Sequence, residues 1–406
     1  MYIIINNNSQ TANVTTCIAG FPDSASNILV NGNGGFHLGN LTNHLFMSDT
    51  VYAQKHVVSL RSDINVTVIA RNSRSYALDA YIVIPVSYSA NEFYVTPYCS
   101  QNTSSPSKCL VGIIPVSSDT EVTFVMPPGN TVTLTSGDIA GKKSFNTYET
   151  VSEQLNFEDI KFIAGNGLVG MKLLANNPIH VFVGNTIGTF YDGSNTDFTE
   201  EQLMPVNRWG LSYVVARSST TNDRIWILAS KAETNIKIVS SSYTFEQYRM
   251  TDAGEVLDFV IVDKSYYIVA DKPIGVTHFV LRTKGLMYTM YRVTPTEQFV
   301  PESVTFVPGP TVTGDNNIKF AAAVIFTDTD MTSSLTYDGK ALSNATEWEE
   351  IPYSGVSFAT IPISTQQTHV FQQFGSGGGL GGYVFGYDKY AVFAHALTLS
   401  YRDMES

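Results

Sequence analysis

Basic residues are scarce: 24 Lys and Arg against 36 Asp and Glu leave a net charge of −12 over 406 residues. No basic run occurs, so the counterion release that drives nucleic-acid binding has no source, and nucleic acid is excluded as a partner. Long hydrophobic runs are missing as well. The longest, Phe320 to Phe326 and Tyr81 to Val86, fall far short of the roughly 20 residues that span a bilayer, so no membrane span is expected. The start, Met1-Tyr2-Ile3-Ile4-Ile5 and then Asn6, has neither the charged head nor the apolar length of a secretion signal, and no signal peptide is read in this chain. Charged residues make up 15% and hydrophobic residues 43%, a balance that excludes a disordered polyelectrolyte.

The spacings that catalysis and metal binding require are absent too. None of the seven histidines pairs at i, i+4 around a Glu, no His/Cys cluster has zinc spacing, and neither a metal nor a cofactor is expected. Asp328-Thr329-Asp330 lacks the glycine and distant Glu of a calcium loop, and reads as an acidic turn. Gly375-Ser376-Gly377-Gly378-Gly379-Leu380-Gly381-Gly382 lacks the Lys-Ser/Thr of a phosphate loop and the spacing of a nucleophile elbow. It reads as a loop tip or a close approach of backbones. His278 and His395 fall at equivalent repeat positions, which would let two imidazoles face a common axis; ordinary partly buried strand histidines are the simpler reading.

What the chain does contain is turn and strand material: 30 Gly, 22 Tyr and 23 Phe, with Ser, Thr, Val and Ile in excess over Lys and Glu. This composition predicts an all-β protein. A pattern recurs within it. Pro85-Val86-Ser87-Tyr88-Ser89-Ala90-Asn91-Glu92-Phe93-Tyr94-Val95 aligns without gaps on Pro205 to Val215, and a looser copy runs from Pro295 through Phe299 to Phe306. Each copy is followed by an alternating segment, at Thr120 to Phe124, Thr234 to Ile238 and Ser333 to Tyr337, which predicts half-buried strands. Apolar runs at Leu110 to Val116, Ile225 to Ala229 and Phe320 to Phe326 read as strands buried on both faces. A closing element occurs at Asn177 to Phe182, Lys272 to His278 and, degenerate, Lys389 to His395, with an earlier relative at Asp63 to Val68.

Closing elements spaced by about 100 residues are long for a propeller blade and suit a small sandwich. The expected organisation is therefore four repeated antiparallel β-sandwich-like units packed together: a divergent N-terminal unit at 1–84 and repeat units at 85–204, 205–294 and 295–406. A closed β-propeller is the alternative. The main helical candidate is Glu200 to Met204, at most a turn or two.

Cys99 and Cys109 bracket the Ser-rich segment Ser100 to Lys108, which predicts a disulfide-closed surface loop and an oxidising compartment, against the alternative of two unrelated thiols. Cys17 is the odd cysteine. N-glycosylation sequons stand at Asn7, Asn13, Asn40, Asn65, Asn102 and Asn344, close to the number that chance gives in so Asn- and Thr-rich a chain. Asn102, inside the cysteine loop, is the best placed. Paired carboxylates for glycoside hydrolysis are available at Glu200, Glu201, Glu349 and Glu350, although adjacent strand residues face opposite sides. Trp209, Trp226, Trp348 and the many tyrosines could stack on sugars, with core packing the default.

The order of these elements resembles the N-terminal domain of the IgGFc-binding protein family, a module of extracellular mucus and matrix proteins. Asp79-Ala80-Tyr81-Ile82-Val83-Ile84-Pro85 with Glu92 to Val95, Asn177 to Asn185, Gln202-Leu203-Met204-Pro205 with Trp209-Gly210, and Ala270 to Ile274 carry the resemblance, which spans about residues 55 to 400. The chain departs from the pattern at Asp388-Lys389-Tyr390, where a proline is expected, and over its first 50 residues. The resemblance implies a secreted, glycosylated, non-catalytic structural or adhesive protein of a matrix, mucus or surface layer. Its partners would be copies of itself or other extracellular matrix or mucus proteins, and glycans. No residues are known to carry Fc binding in that family, so none is transferred. The alternatives are a lectin-like carbohydrate-binding module and a glycoside hydrolase.

Overall fold

A computed structural model describes residues 2–5, 11–18, 21–31, 36–37, 57–74, 77–99, 107–157, 159–185, 198–218, 223–282, 287–308, 318, 320–342, 346–364, 367–375, 378–387 and 391–397. The protein is all-β, and its paired strands run antiparallel. Among the described residues, no sheet closes into a barrel or propeller. The chain divides into two compact units, one of Met1–Arg71, Ile82–Gly188 and Phe198–Pro205, the other of Asn72–Tyr81, Thr189–Asp197 and Val206–Ser406.

In the first unit, Thr11–Ile18 lies between Phe21–Asn31 and Val58–Ser62, and Ala12, Val14 and Val30 form a small core beneath Ile28 and Leu60. A nine-stranded sheet follows, organised around one long strand, Lys172–Asn185. Its first half pairs with Thr120–Val125 on one side and Ala90–Tyr94 on the other. Its second half pairs with Cys109–Pro115 and Glu200–Gln202. The register shifts between Leu174 and Ile179, around Pro178, which has no N–H to give the ladder. The long strand is thus a spine whose two halves have different neighbours. Burial alternates strictly along Val132–Ser136 and nearly so along Thr120–Val125, as a sheet with one core face requires.

The second unit repeats the plan. Its spine is Ser265–Arg282, with Thr234–Ser240 and Gly210–Ala216 flanking the first half. Arg224–Ala229 and Met287–Arg292 flank the second half, and Pro273 sits at the bend. The plan recurs once more with the spine cut in two. His369–Gln373 pairs with Ser303–Phe306 and Leu335–Tyr337, while Leu380–Tyr387 pairs with Phe320–Asp328 and Val392–Ala396. Between the halves lies the glycine-rich stretch, of which Ser376 and Gly377 fall outside the described residues.

Two expectations change here. The third closing element is not Lys389 to His395: Val392–Ala396 is the neighbour of a split spine, and glycines do there what Pro178 and Pro273 do in the other copies. Glu200 to Met204 is not helical, because Glu200–Gln202 adds to the spine edge with Gln202 opposite Phe182. Short helical turns instead follow each of the three repeated prolines, at Val86–Tyr88, Val206–Arg208 and Thr296–Gln298, and another described turn is Thr329–Ser334. Pro85 (φ −60°, ψ 150°) and Pro295 (φ −62°, ψ 151°) enter them with nearly the same backbone.

His180 of the first spine illustrates how polar side chains are used inside the sheet. Gln202 Nε2 donates to its Nδ1 at 3.0 Å, and Gln202 Oε1 accepts from Ile84 N at 2.9 Å. Burial pushes the imidazole down to about 4 from 6.5. A base whose folded value is depressed binds fewer protons folded than unfolded, so the stability it leaves intact above pH 6.5 is lost as pH falls toward 4. Acid urea titrations should show a loss on the order of 3 kcal/mol over that window, and His180→Gln should flatten it. An unchanged slope in the variant would assign the acid sensitivity elsewhere, His395 being also depressed by burial.

Candidate binding surfaces

Most residues singled out by the sequence are brought into the interior. Glu201 is 6% exposed, its Oε1 accepts from Gln202 N, and Glu200 on the same strand faces the other side. Trp209 is buried, and Trp226 packs edge-on against Phe279 with centroids 5.0 Å apart. His278 and His395 are both buried, on different strands. His278 Nε2 donates to Asp223 Oδ2 at 3.1 Å, and Tyr291 Oη donates to His278 Nδ1 at 2.9 Å. Burial raises the Tyr291 and Tyr383 phenols well above their usual range, keeping both as neutral donors. The Ser218 hydroxyl bonds the Asp223 carboxylate and not the imidazole, so the three residues have the composition of a triad without its wiring. They form an interior clasp.

Asp328 Oδ2 accepts from Gly379 N at 3.2 Å, and Thr329–Ser334 is a helical turn. Among the described residues, no three His, Cys, Asp or Glu gather as a metal site. Cys99 and Cys109 form a disulfide with Cα atoms 5.1 Å apart, at the start of the buried strand Cys109–Pro115, while Cys17 is unpaired and half-buried. Asn13 and Asn65 are exposed; Asn7, Asn40, Asn102 and Asn344 lie outside the described residues.

Two surface features remain. The first is a cavity of about 570 Å³ lined by Tyr337, Lys340, Glu347, Glu349, Phe358 and neighbouring apolar residues. Glu350 is exposed and faces away, as strand alternation demands. The carboxylate that joins Glu349 is Glu347, two residues earlier. Glu349 is held by Lys264 Nζ at 2.9 Å, and burial raises the Tyr337 phenol.

The second is a group of exposed aromatic rings. Tyr243, Phe245 and Tyr353 are 65%, 59% and 66% exposed, and the Tyr353 ring meets Phe245 at 5.3 Å and Tyr243 at 6.3 Å, edge to face in both cases. Tyr243 and Tyr353 stand at hairpin tips with φ +62° and +64°. Bulky side chains avoid this region at a cost of about 1 kcal/mol or more each. The tips are fixed by short hydrogen bonds: Ser240 N to Thr244 O at 3.0 Å and Ser354 N to Ile351 O at 3.2 Å. The Ser242 hydroxyl donates to Asp263 Oδ2 at 2.5 Å, and the Ser240 and Ser242 hydroxyls hold the Asp263 carboxyl below the usual carboxylate range. Three large rings thus stand together in solvent, two of them on strained tips. One signal in the sequence points to them. Phe245 shares its strand phase with Gln247 and Arg249, which puts it on the solvent side.

A family model described as IgGFc binding protein matches residues 79–386, ending within Leu380–Tyr387 of the split spine. The human IgGFc-binding protein is 23% identical over 317 residues, which cover 77% of this chain and 6% of that protein. With well over half of its length inside the family model, the chain belongs to the IgGFc-binding protein family.

Proposed function

We propose that the chain is a non-catalytic extracellular binding and assembly module of a matrix, mucus or surface layer, and that the Tyr243, Phe245 and Tyr353 group is its contact surface. The carrying observation is the exposure of three mutually packed rings on strained hairpin tips. The family supports protein partners, and the human relative is named for binding IgG Fc. The disulfide and the exposed Asn13 and Asn65 sequons suit an oxidising, glycosylating compartment.

The test is retention of the full chain on two immobilised probes, purified IgG Fc and reconstituted secreted mucus protein, beside the triple variant Tyr243→Ser, Phe245→Ser, Tyr353→Ser. Loss of an aromatic hot spot costs at least about 2 kcal/mol, so the variant should bind the retaining probe roughly 30-fold more weakly. Equal retention of both chains would remove this surface. No retention on either probe would remove the reading. An unreduced peptide map of protein from its native source should show glycans at Asn13 or Asn65 together with the Cys99–Cys109 bond; bare asparagines and free thiols would count against an extracellular site. A lectin-like role is the second reading, favoured by aromatic rings and carboxylates on the walls of one cavity, and a glycan array without hits would remove it.

A further inference from the structure

The aromatic group sits at one end of a strand that ends a sheet. Among the described residues, Phe245–Met250 terminates the seven-stranded sheet and pairs on one side only, with Thr234–Ser240. Ser240 N donates to Thr244 O, so residues 240 and 244 are a hydrogen-bonded pair. In an antiparallel ladder such pairs alternate. Glu246, Tyr248 and Met250 therefore use their backbone groups inside the sheet, while the N–H and C=O of Phe245, Gln247 and Arg249 point out of its edge. The same alternation appears one strand further in, where Ser241 N donates to Ser265 O of the spine. Open edges of this kind are templates for another strand.

We propose that this edge pairs with the same edge of a second copy, antiparallel about a two-fold axis at Gln247, which deepens the assembly reading above and rests on it. A two-fold perpendicular to the sheet keeps faces matched only if pairing residues share strand phase. Centring on Gln247 satisfies this and joins outward-pointing backbones: Gln247 with Gln247 of the other copy, and Phe245 with Arg249 of the other copy, twice. On the solvent face each guanidinium then lies across from Phe245, beside Tyr353 and Tyr243, a cation–aromatic pairing. On the core face Glu246 meets Tyr248, and no like charges oppose. Arg249 is able to make the exchange, because its present ion pair with Glu233 is solvent-exposed on both sides, 66% and 51%, and such pairs hold weakly.

Two other edges of these large sheets lack that complementarity. Val256–Val260 points Asp258 outward at its centre, where it binds Arg224, so self-pairing would set carboxylate against carboxylate. Thr150–Leu155 would set Val151 against Glu153, which is bound to Lys161.

The experiment is sedimentation velocity on the full chain across about 1 to 100 µM, the range in which a modest interface reports. A concentration-dependent dimer is expected. Gln247→Pro removes one outward N–H and no bond within the sheet, a place where an edge strand tolerates proline, and should be monomeric throughout with an unchanged melting curve. Arg249→Glu should weaken the dimer at least tenfold, and the exchange Phe245→Arg with Arg249→Phe should restore it. A monomeric wild type, a Gln247→Pro chain that still dimerises, or an exchange variant no better than Arg249→Glu overturns the pairing. Gln247→Pro keeps all three rings, so its retention on the Fc and mucus probes separates the two ideas. A monomer that still binds sinks only this pairing, and a dimer that binds neither sinks only the partner reading.

Discussion

Asp223→Ala should cost about 3 to 5 kcal/mol, the usual penalty for removing one side of a fully buried charged network. Asp223 has no solvent exposure. Its carboxylate accepts from Ser218 N and Ser218 Oγ, each at 2.8 Å, from Leu281 N at 3.0 Å and from His278 Nε2 at 3.1 Å. Alanine removes the acceptor of four donors; His278 Nε2 and Leu281 N lie where water does not reach and carry the full desolvation cost, while the half-buried Ser218 carries less. The damage extends beyond the spine, because His278 packs on Tyr383 at 5.5 Å and Tyr383 stacks on Tyr291 at 4.8 Å. Tyr383 in turn donates to Ala216 O at 2.9 Å, so one carboxylate organises strands of two sheets. Urea unfolding followed by near-ultraviolet circular dichroism, which reports these tyrosines, should show the loss. Asp223→Asn keeps one acceptor oxygen and should lose about half as much. A loss under about 1 kcal/mol for alanine would mean the clasp is incidental to the fold.

This clasp also shows where the sequence stops being legible. The proline-led motif at Pro85, Pro205 and Pro295 can be read because its causes are local: a fixed φ, a missing N–H and a strand immediately after. The cysteine loop is legible for the same reason of spacing. The third spine is not, because two strands separated by glycines pair like one long strand only when their neighbours are known, and pairing is not local information. Asp223, His278 and Tyr383 are separated by 55 residues or more in sequence and meet only through that pairing. The exposed tyrosines are hidden by a sound default, since an aromatic in a β-rich chain usually belongs to the core. Nothing local marks Tyr243 and Tyr353 as the residues that take φ near +60°. Glu347 is overshadowed by the adjacent pair Glu349 and Glu350, although two residues is the spacing that puts side chains on one face.

Gly275→Val should be nearly as severe, for a reason that links the repeats. Gly275 lies two residues past the spine bend, and Trp209, four residues past its repeat proline, lies flat against it: a Cβ there would stand 2.8 Å from the indole. Trp209 is 3% exposed and has no space to retreat into. The third copy repeats the contact with other residues. Phe299, four past Pro295, covers Gly381 of the split spine, where a Cβ would stand 2.1 Å from the ring. An aromatic lid on a spine glycine thus recurs in the second and third copies, the first having Ser89 at that place, and it explains why Trp209 packs as core and stays out of reach of any sugar. Overpacking a rigid site costs about 1 to 3 kcal/mol and more when nothing can move, so Gly275→Val and Gly381→Val should each lower the urea midpoint clearly. Trp209→Ala alone should cost about 3 to 5 kcal/mol through its cavity. The informative variant is the pair: Gly275→Val with Trp209→Ala should be more stable than the sum of the single losses, because the new side chain fills part of the space the indole leaves. Strict additivity in that double-mutant cycle would show that the two residues do not share the contact on which this reading of the repeat depends.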